Sequence, residues 1–325
     1  MFKNNPCIFR RLFIVAKLLL PEFKCLVNQL ASFDTHNNQK KFKAMLIMQS
    51  HIIEKGLSLK DTRTGFGIPK IKKLLQELAL YENKYHDHET LYFVLSIVEA
   101  YIAFNLKQGE TNADIIKMYE ELKSHLKGEE IYPHLCGGTL QLSKKDILSQ
   151  SSIDYEGFVK SRHSIRQFTG EDVPIDLIQK ALSIAEYTPS ACNRQPWSNY
   201  VFTKKDNIIK ILDIQTGARQ FKNDVSCLIL ITATHNAFGA SEYHQAYVNG
   251  GLYAMNLMFS LHAMGLGVIP LNLGIGSKGI KELSSVCGLE PSDTPIMLLA
   301  VGQIPDHLEV AKSCRFSYTE YSKFD

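Results

Sequence analysis

The spacing of apolar residues changes character part-way along the chain, and that change limits the possible folds more than any other feature. Through residue 130, apolar side chains recur at three- and four-residue intervals, as in helices that bury one face. Ile8–Phe33, with a break expected at Pro21, and Asn38–Glu54 follow this pattern. Pro69 suits a helix start and is followed by Ile71, Leu74, Leu75 and Leu78 on one face. His88–Lys107 is apolar nearly all round and is expected to form the core of this part. Asn112 can cap a helix over Ala113–Leu126, and Gly128 can end it. Gly128–Ser151, with Pro133, Gly137, Gly138 and scattered serines, reads as a connecting stretch.

From Asp154 onward helical segments alternate with short apolar runs. Helices are expected at Tyr155–Ser161, Ile175–Glu186, Asp206–Leu212, Ala246–Met264 and Gly279–Val286, and strands at Ser198–Thr203, Val225–Thr234, Val268–Leu271 and Pro295–Gly302. Cys227, Leu228, Ile229, Leu230 and Ile231 follow one another without a polar break, as in a strand covered on both faces. Such alternation belongs to the α/β or α+β classes. The expected organisation is a helical region at 1–130, a linker at 131–153 and a second domain at 154–325.

The 325 residues, 45% hydrophobic and 21% charged, are enough for a sizeable core, and a net charge of +3 gives no reason to expect nucleic acid as a partner. The seven cysteines are widely spaced and form no Cys-x-x-Cys, which argues against a disulfide framework or a zinc site and for a reducing, cytoplasmic setting. Arg10, Arg11 and Lys17 interrupt the apolar run Ile8–Leu20, and no small-residue cleavage site follows, so an amphipathic helix is expected there, with peripheral membrane contact left open. Leu91–Phe104 is short for a bilayer and contains Glu99, so no stable membrane insertion is expected.

Two polar stretches carry chemistry. In Ser161-Arg162-His163-Ser164-Ile165-Arg166-Gln167-Phe168, three cations and a hydroxyl gather beside a helix end. Arginine offers a planar fork of donors that suits phosphate, although a solvated basic patch has the same composition. In Thr188-Pro189-Ser190-Ala191-Cys192-Asn193-Arg194-Gln195-Pro196-Trp197, two prolines bracket small and amide-bearing residues, which suits the polar edge of a planar heterocycle. A helix-to-strand turn plugged by Trp197 is the plainer reading. Cys192 has no obvious base nearby in sequence to make it a nucleophile.

In this order, and about 25 residues apart, the two stretches resemble the nitroreductase family of flavin mononucleotide (FMN) enzymes. Its members open on Arg-[Arg/His]-Ser-x-[Arg/Lys]-x-[Phe/Tyr] and continue with Pro-Ser-x-x-Asn-x-Gln-Pro-Trp. The resemblance covers about Tyr155–Arg315. It implies an α+β fold with a central mixed or antiparallel sheet flanked by helices, and a homodimer packed through the long helix, where Ala246, Gly250 and Ala254 form a small-residue stripe. A buried helix within one chain would show the same stripe. By resemblance, Arg162, His163 and Ser164, with Lys312 and Arg315, would hold the phosphate and ribityl chain. Arg166 would lie at the pyrimidine edge as the catalytic cation. Pro189, Ser190 and Asn193 would reach the flavin across the dimer, and Pro270, Leu271, Asn272 and Leu273 would face the ring. Leu273 stands where members often have glycine, so it could narrow the site, or Gly274 could take over. A further polar contact could come from Gln215 or Gln220.

The activity so implied is NAD(P)H-dependent reduction of nitroaromatics, quinones or similar small molecules, with NADH or NADPH as a transient donor in a ping-pong scheme and no metal. The alternatives are a specialised flavin enzyme of the same fold (a heterocycle dehydrogenase, a dehalogenase or a flavin-fragmenting enzyme) and a non-enzymatic flavin-binding or interaction protein. No Gly-x-Gly-x-x-Gly follows a strand, which agrees with the lack of a separate dinucleotide site. The helical region lies outside the resemblance and is expected to cap the site. Its segment His51–Ser58 with Arg63–Gly67 reads either as a loop that visits the site or as a solvated helix face closed by Gly56.

Overall fold

The computed structural model describes residues 6–126 and 132–325. The first part consists of α1 (Pro6–Gln29), α2 (Gln39–Leu57), α3 (Ile68–Tyr85), α4 (His88–Lys107) and α5 (Ala113–Lys123). Asn38, Asp87 and Asn112 cap α2, α4 and α5, their side-chain oxygens each accepting a first-turn N–H at 3.1 Å. α1 runs through Pro21 without the expected break. The expected stop at Gly128 lies outside the described residues. Leu74, Leu78, Leu91, Ile97 and Val98 are fully buried at the centre, with Phe42 set edge-on to Tyr81. Among the described residues α4 is the one helix long and apolar enough to cross a membrane, and it is the helix at the centre of this core. His51, Glu54 and Lys55 lie on α2, where Glu54 accepts the N–H of Gly138 (3.0 Å).

A short exposed helix, α6 (Lys144–Ser151), lies within the stretch read as a linker. Then come α7 (Tyr155–Ser161), α8 (Ile175–Ala185), β1 (Trp197–Phe202), α9 (Lys205–Gln215), β2 (Cys227–Thr234), α10 (Gln245–Ala263), β3 (Leu266–Leu271), α11 (Gly276–Cys287) and β4 (Asp293–Gln303). The four strands form one sheet in the order β1-β2-β4-β3, antiparallel throughout. The unbroken apolar run of β2 follows from this packing. Cys227, Ile229 and Ile231 meet α8 and α10 on one face, and Leu228 and Leu230 meet α9 and α11 on the other. The fold is α+β.

The small-residue stripe of α10 faces this sheet, which corrects its expected place at a dimer interface. Ala246 and Ala254 are fully buried, and a Cβ on Gly250 would lie 2.7 Å from the Ile296 side chain. The exposed face of α10 is a different one, carrying Val248, Leu252 and Met255, with Gly251 open to space. The helical part also packs directly on the second half. Ala44 of α2 joins a cluster with Ala233, Ala237, Phe238 and Ala246, and the Ala31 N–H donates to the Phe238 carbonyl (2.8 Å).

Candidate active site

The basic stretch begins where α7 ends. Past Ser161 the chain runs alongside β3, tied by the Ile165 N–H to the Val268 carbonyl (3.2 Å). The Ser161 hydroxyl lies 2.8 Å from His262 Nε2 near the end of α10, and Phe158 packs on that imidazole at 5.1 Å. Burial holds the His262 pKa below its ordinary value, and the positive charges of Arg162 and His163 push it further in the same direction. Among the described residues no ion pair neutralises Arg162, His163 or Arg166. Arg166 donates to the Ser164 carbonyl (3.3 Å). The result is a group of cations and hydroxyls with no ion-paired carboxylate among the described residues, which suits an anion site. The tail returns to this stretch, where Gln167 accepts the Glu309 N–H at 3.1 Å. Lys312 lies three residues further on, within about 10 Å of chain. Lys312 and Arg315 are both exposed, and Arg315 folds back onto its own Ser313 carbonyl.

The end of β3 lies near this group. Gln215 is buried and donates to the Asn272 carbonyl (3.0 Å), so the structure places Gln215 at Pro270–Leu273 and leaves Gln220 exposed. The Asn272 side chain accepts the Gly274 N–H (3.0 Å), and Leu273 packs against the core formed with α9 and α11.

The second stretch is a loop held in a costly shape. Cys192, Asn193 and Gln195 all have left-handed backbone, with φ of 51°, 53° and 44°. Such conformations cost about 1 kcal/mol or more each outside glycine and persist only where surroundings impose them. Arg194 supplies most of the restraint. Its side chain is 2% exposed and donates to the carbonyls of Ala191 (2.9 Å) and Ala237 (2.8 Å) and to both carboxylate oxygens of Glu242 (2.9 and 2.6 Å). The Arg194 bonds hold the Glu242 carboxyl below the ordinary carboxylate range, against its partial burial. α10 adds Asn249, which accepts the Ala191 N–H (2.9 Å), and Asn256, which donates to the Thr188 hydroxyl (2.8 Å). Ser190 Oγ accepts the Gln195 N–H (2.9 Å), and Trp197 stacks on Tyr253 at 4.7 Å. Asn193 and Gln195 are left exposed, and no base is hydrogen-bonded to the Cys192 thiol among the described residues.

These two stretches do not meet within one chain. The basic group sits beside β3 and the loop precedes β1, and β1 and β3 are the opposite edges of the sheet. Along α10 the contacts at Asn249 and His262 are thirteen residues apart, roughly 20 Å at the helical rise. Of the exposed α10 face, Leu252 and Met255 lie between them and Val248 beside Asn249. Beside the loop is a cleft walled by the helical part. A cavity of about 240 Å³ is bounded by Lys43, Ile47, Glu89 and Phe93 on one side and by Asn193 and Gln195 on the other. It shares Lys43, Ile47, Arg194 and Gln195 with an adjoining cavity of about 200 Å³ that reaches Trp197 and Asp293.

His262, Glu242 and the wall on α2 and α4 were not legible as site residues, because each lies far in sequence from the stretch it serves. Arg194 lay inside the recognised loop, but its sequence position alone did not reveal a buried structural cation.

Parts of this chain are similar to known proteins. The model described as Nitroreductase family matches residues 159–218 and 213–303. Chloronitrobenzene nitroreductase of Comamonas testosteroni is 42% identical over 48 residues, 15% of this chain and 21% of that protein. A Methanothermobacter thermautotrophicus protein provisionally assigned as NADH dehydrogenase/NAD(P)H nitroreductase is 25% identical over 151 residues, 45% of this chain and 72% of its own. An iodotyrosine dehalogenase 1 homolog of Caenorhabditis elegans is 26% identical over 190 residues, 48% of this chain and 56% of its own. The chain therefore spans only about a fifth of the first relative's length and just over half of the third's. Among solved structures, an FMN-dependent nitroreductase of Clostridium difficile aligns with a TM-score of 0.45 at 18% identity, over 52% of this chain and 98% of that one. Residues 159–303 match the nitroreductase family model and resemble nitroreductase-like proteins, and the helical residues before them lie outside the match.

Proposed function

We propose that this chain is an FMN-dependent oxidoreductase that takes hydride from NADH or NADPH and delivers it to nitroaromatics, quinones or similar electron-poor small molecules, the two substrates using one site in turn. The observation that carries this reading is the division of the two motifs between the ends of α10. Each is half of a site, and a second copy laid antiparallel along the Val248–Met255 face would bring the basic end of one protomer to the loop of the other. A homodimer is therefore part of the proposal.

The residues fit a flavin phosphate. Arg162, His163 and Ser164 offer charge and donors without a competing carboxylate, His262 lies among them, and the tail carrying Lys312 and Arg315 returns to the same stretch. The loop would contribute Pro189, Ser190 and Asn193 from the partner protomer, and Pro270–Leu273 would offer backbone groups. When bound, the flavin supplies the hydride-accepting and hydride-donating centre. The chain's own part is to hold that group, orient it and place charge. Arg166, steadied by the Ser164 carbonyl, would counter the negative charge that reduction builds at the pyrimidine edge. α2 and α4 would wall the approach, so that Lys43, Glu89 and Phe93 help set which acceptors enter.

The direct test is the visible spectrum of purified protein, followed by anaerobic titration with NADH and NADPH. A colourless protein that refuses added FMN would sink the proposal. Arg166→Ala is expected to keep most of its flavin while turnover falls by about a hundredfold, the size seen when one preorganised charge donor is lost. Unchanged reduction of the bound flavin in stopped flow would remove Arg166 from this role. His262 offers an independent check. Without flavin its imidazole should titrate below its ordinary value, and on addition of FMN its pKa should rise, because a nearby anion counters the field that Arg162 and His163 impose. An NMR titration showing no movement would place the phosphate elsewhere. The similarity to the dehalogenase homolog keeps reductive dehalogenation as a second reaction to assay on the same protein.

A further inference from the structure

We propose that α1 lies on the surface of an anionic lipid bilayer, held in the interface plane rather than across it. Written as a heptad starting at Phe13, the helix carries Phe13, Leu20 and Val27 at one apolar position and Ala16 and Phe23 at the other. This stripe is open in the structure, with Phe13 70% and Phe23 63% exposed and Leu20 and Val27 about half exposed. A stripe of this kind on a 24-residue helix, about 36 Å long, needs a cover.

Charge identifies the cover. Arg10, Lys17 and Lys24 recur every seven residues in the sequence, and Arg10 and Lys24 are exposed. Over residues 1–30 there are five basic side chains and one acidic one, Glu22. Glu22 is already engaged on the docked side, accepting from the Tyr247 hydroxyl (3.2 Å). A second copy of α1 packed stripe to stripe would set cations against Leu19 and Leu26 of its partner, with no acid to pair. Anionic headgroups meet both demands. The aromatic and aliphatic side chains enter the acyl boundary, and the cations reach the phosphates. The charges at Arg10, Arg11 and Lys17 break up the apolar run, which favours lying on the bilayer over spanning it.

The far end of the helix is rooted in the protein. The buried ammonium of Lys41 donates to the carbonyls of Asn28 and Phe33 (both 2.9 Å), and Gln29 reaches the Pro291 carbonyl (3.3 Å). A bilayer bound by α1 would thus be held at a fixed place relative to the second half of the chain.

Flotation of the purified full chain tests this, using vesicles of phosphatidylcholine alone or with about 30% phosphatidylserine. The chain should float with the anionic vesicles, remain behind with the neutral ones and be released by high salt. Phe13→Ser with Phe23→Ser, and separately Lys17→Glu with Lys24→Glu, should each lower the bound fraction about tenfold or more while circular dichroism and flavin content stay as in the parent. No flotation with either vesicle, equal flotation with both, or variants that bind like the parent would overturn the proposal. So would sedimentation showing that Phe13→Ser with Phe23→Ser turns a dimer into a monomer without any vesicle binding, since a second copy would then be the occupant. None of these results depends on whether the chain reduces nitro compounds.

Discussion

Replacing Arg194 with methionine is expected to cost about 3 kcal/mol of stability and, on the proposed function, to strip the protein of bound flavin. The arginine is nearly inaccessible and makes four hydrogen bonds, two to carbonyls and two to Glu242. Removing one partner of a buried pair leaves the other group short of partners, which typically costs 3–5 kcal/mol. Glu242 is 35% exposed and can recover some water, so the lower end applies. The loop that loses its restraint contains three left-handed residues that have no reason to keep that shape alone. Arg194→Lys should rescue little, because a lysine cannot span two carbonyls and a carboxylate fork at once. Urea unfolding measures the first effect and visible absorbance the second. The stability gap should narrow in acid. Glu242 has a depressed pKa in the folded chain, so its contribution is present above the ordinary carboxylate value and lost as pH falls through the folded one. A variant as stable and as yellow as the parent would show that the loop does not depend on this pair.

On the proposed function and dimer, Leu252→Glu combined with Met255→Glu should give a folded monomer that has lost essentially all its flavin. Both side chains are well exposed on α10, so charge there costs the single chain little. In the proposed dimer the same charges would be buried against their own copies, which costs several kcal/mol. If the basic end and the loop make a site only across two protomers, dissociation removes half of every site. Sedimentation velocity reads the mass and absorbance reads the flavin. A monomer that stays yellow would mean that one chain holds the cofactor without help, and the division along α10 would lose its meaning.

The regular elements were largely legible because their signals are local. The apolar spacing of Ile71, Leu74, Leu75 and Leu78 marked α3, and the run Cys227–Ile231 marked β2. Two features misled. Pro21 removes one helical hydrogen bond, yet α1 continues past it. The small-residue stripe of α10 did signal close approach, but periodicity cannot say whether the approaching surface is another chain or Ile296 of the same one. The candidate site is legible where it is linear: Arg162–Arg166 and Pro189–Asn193 stand out as letters in order. The parts that are brought in by the fold left no such mark. His262 follows Ser161 by 101 positions and Glu242 follows Arg194 by 48. That α9 buries Gln215 against Asn272, while Gln220 stays exposed, likewise left no mark in the sequence.

The seating of α2 against the second half has a mechanical consequence. Ala44 shares a cluster with Ala237 and Phe238, the segment whose Ala237 carbonyl anchors Arg194. The helical half cannot swing clear like a hinged door without tearing that seam, and removing it outright would leave Phe238 bare. Strain set up in the loop when a guest arrives would instead be passed into α2 as a load, so the amide exchange rates of that helix should serve as a remote gauge of occupancy some distance from any reacting atom.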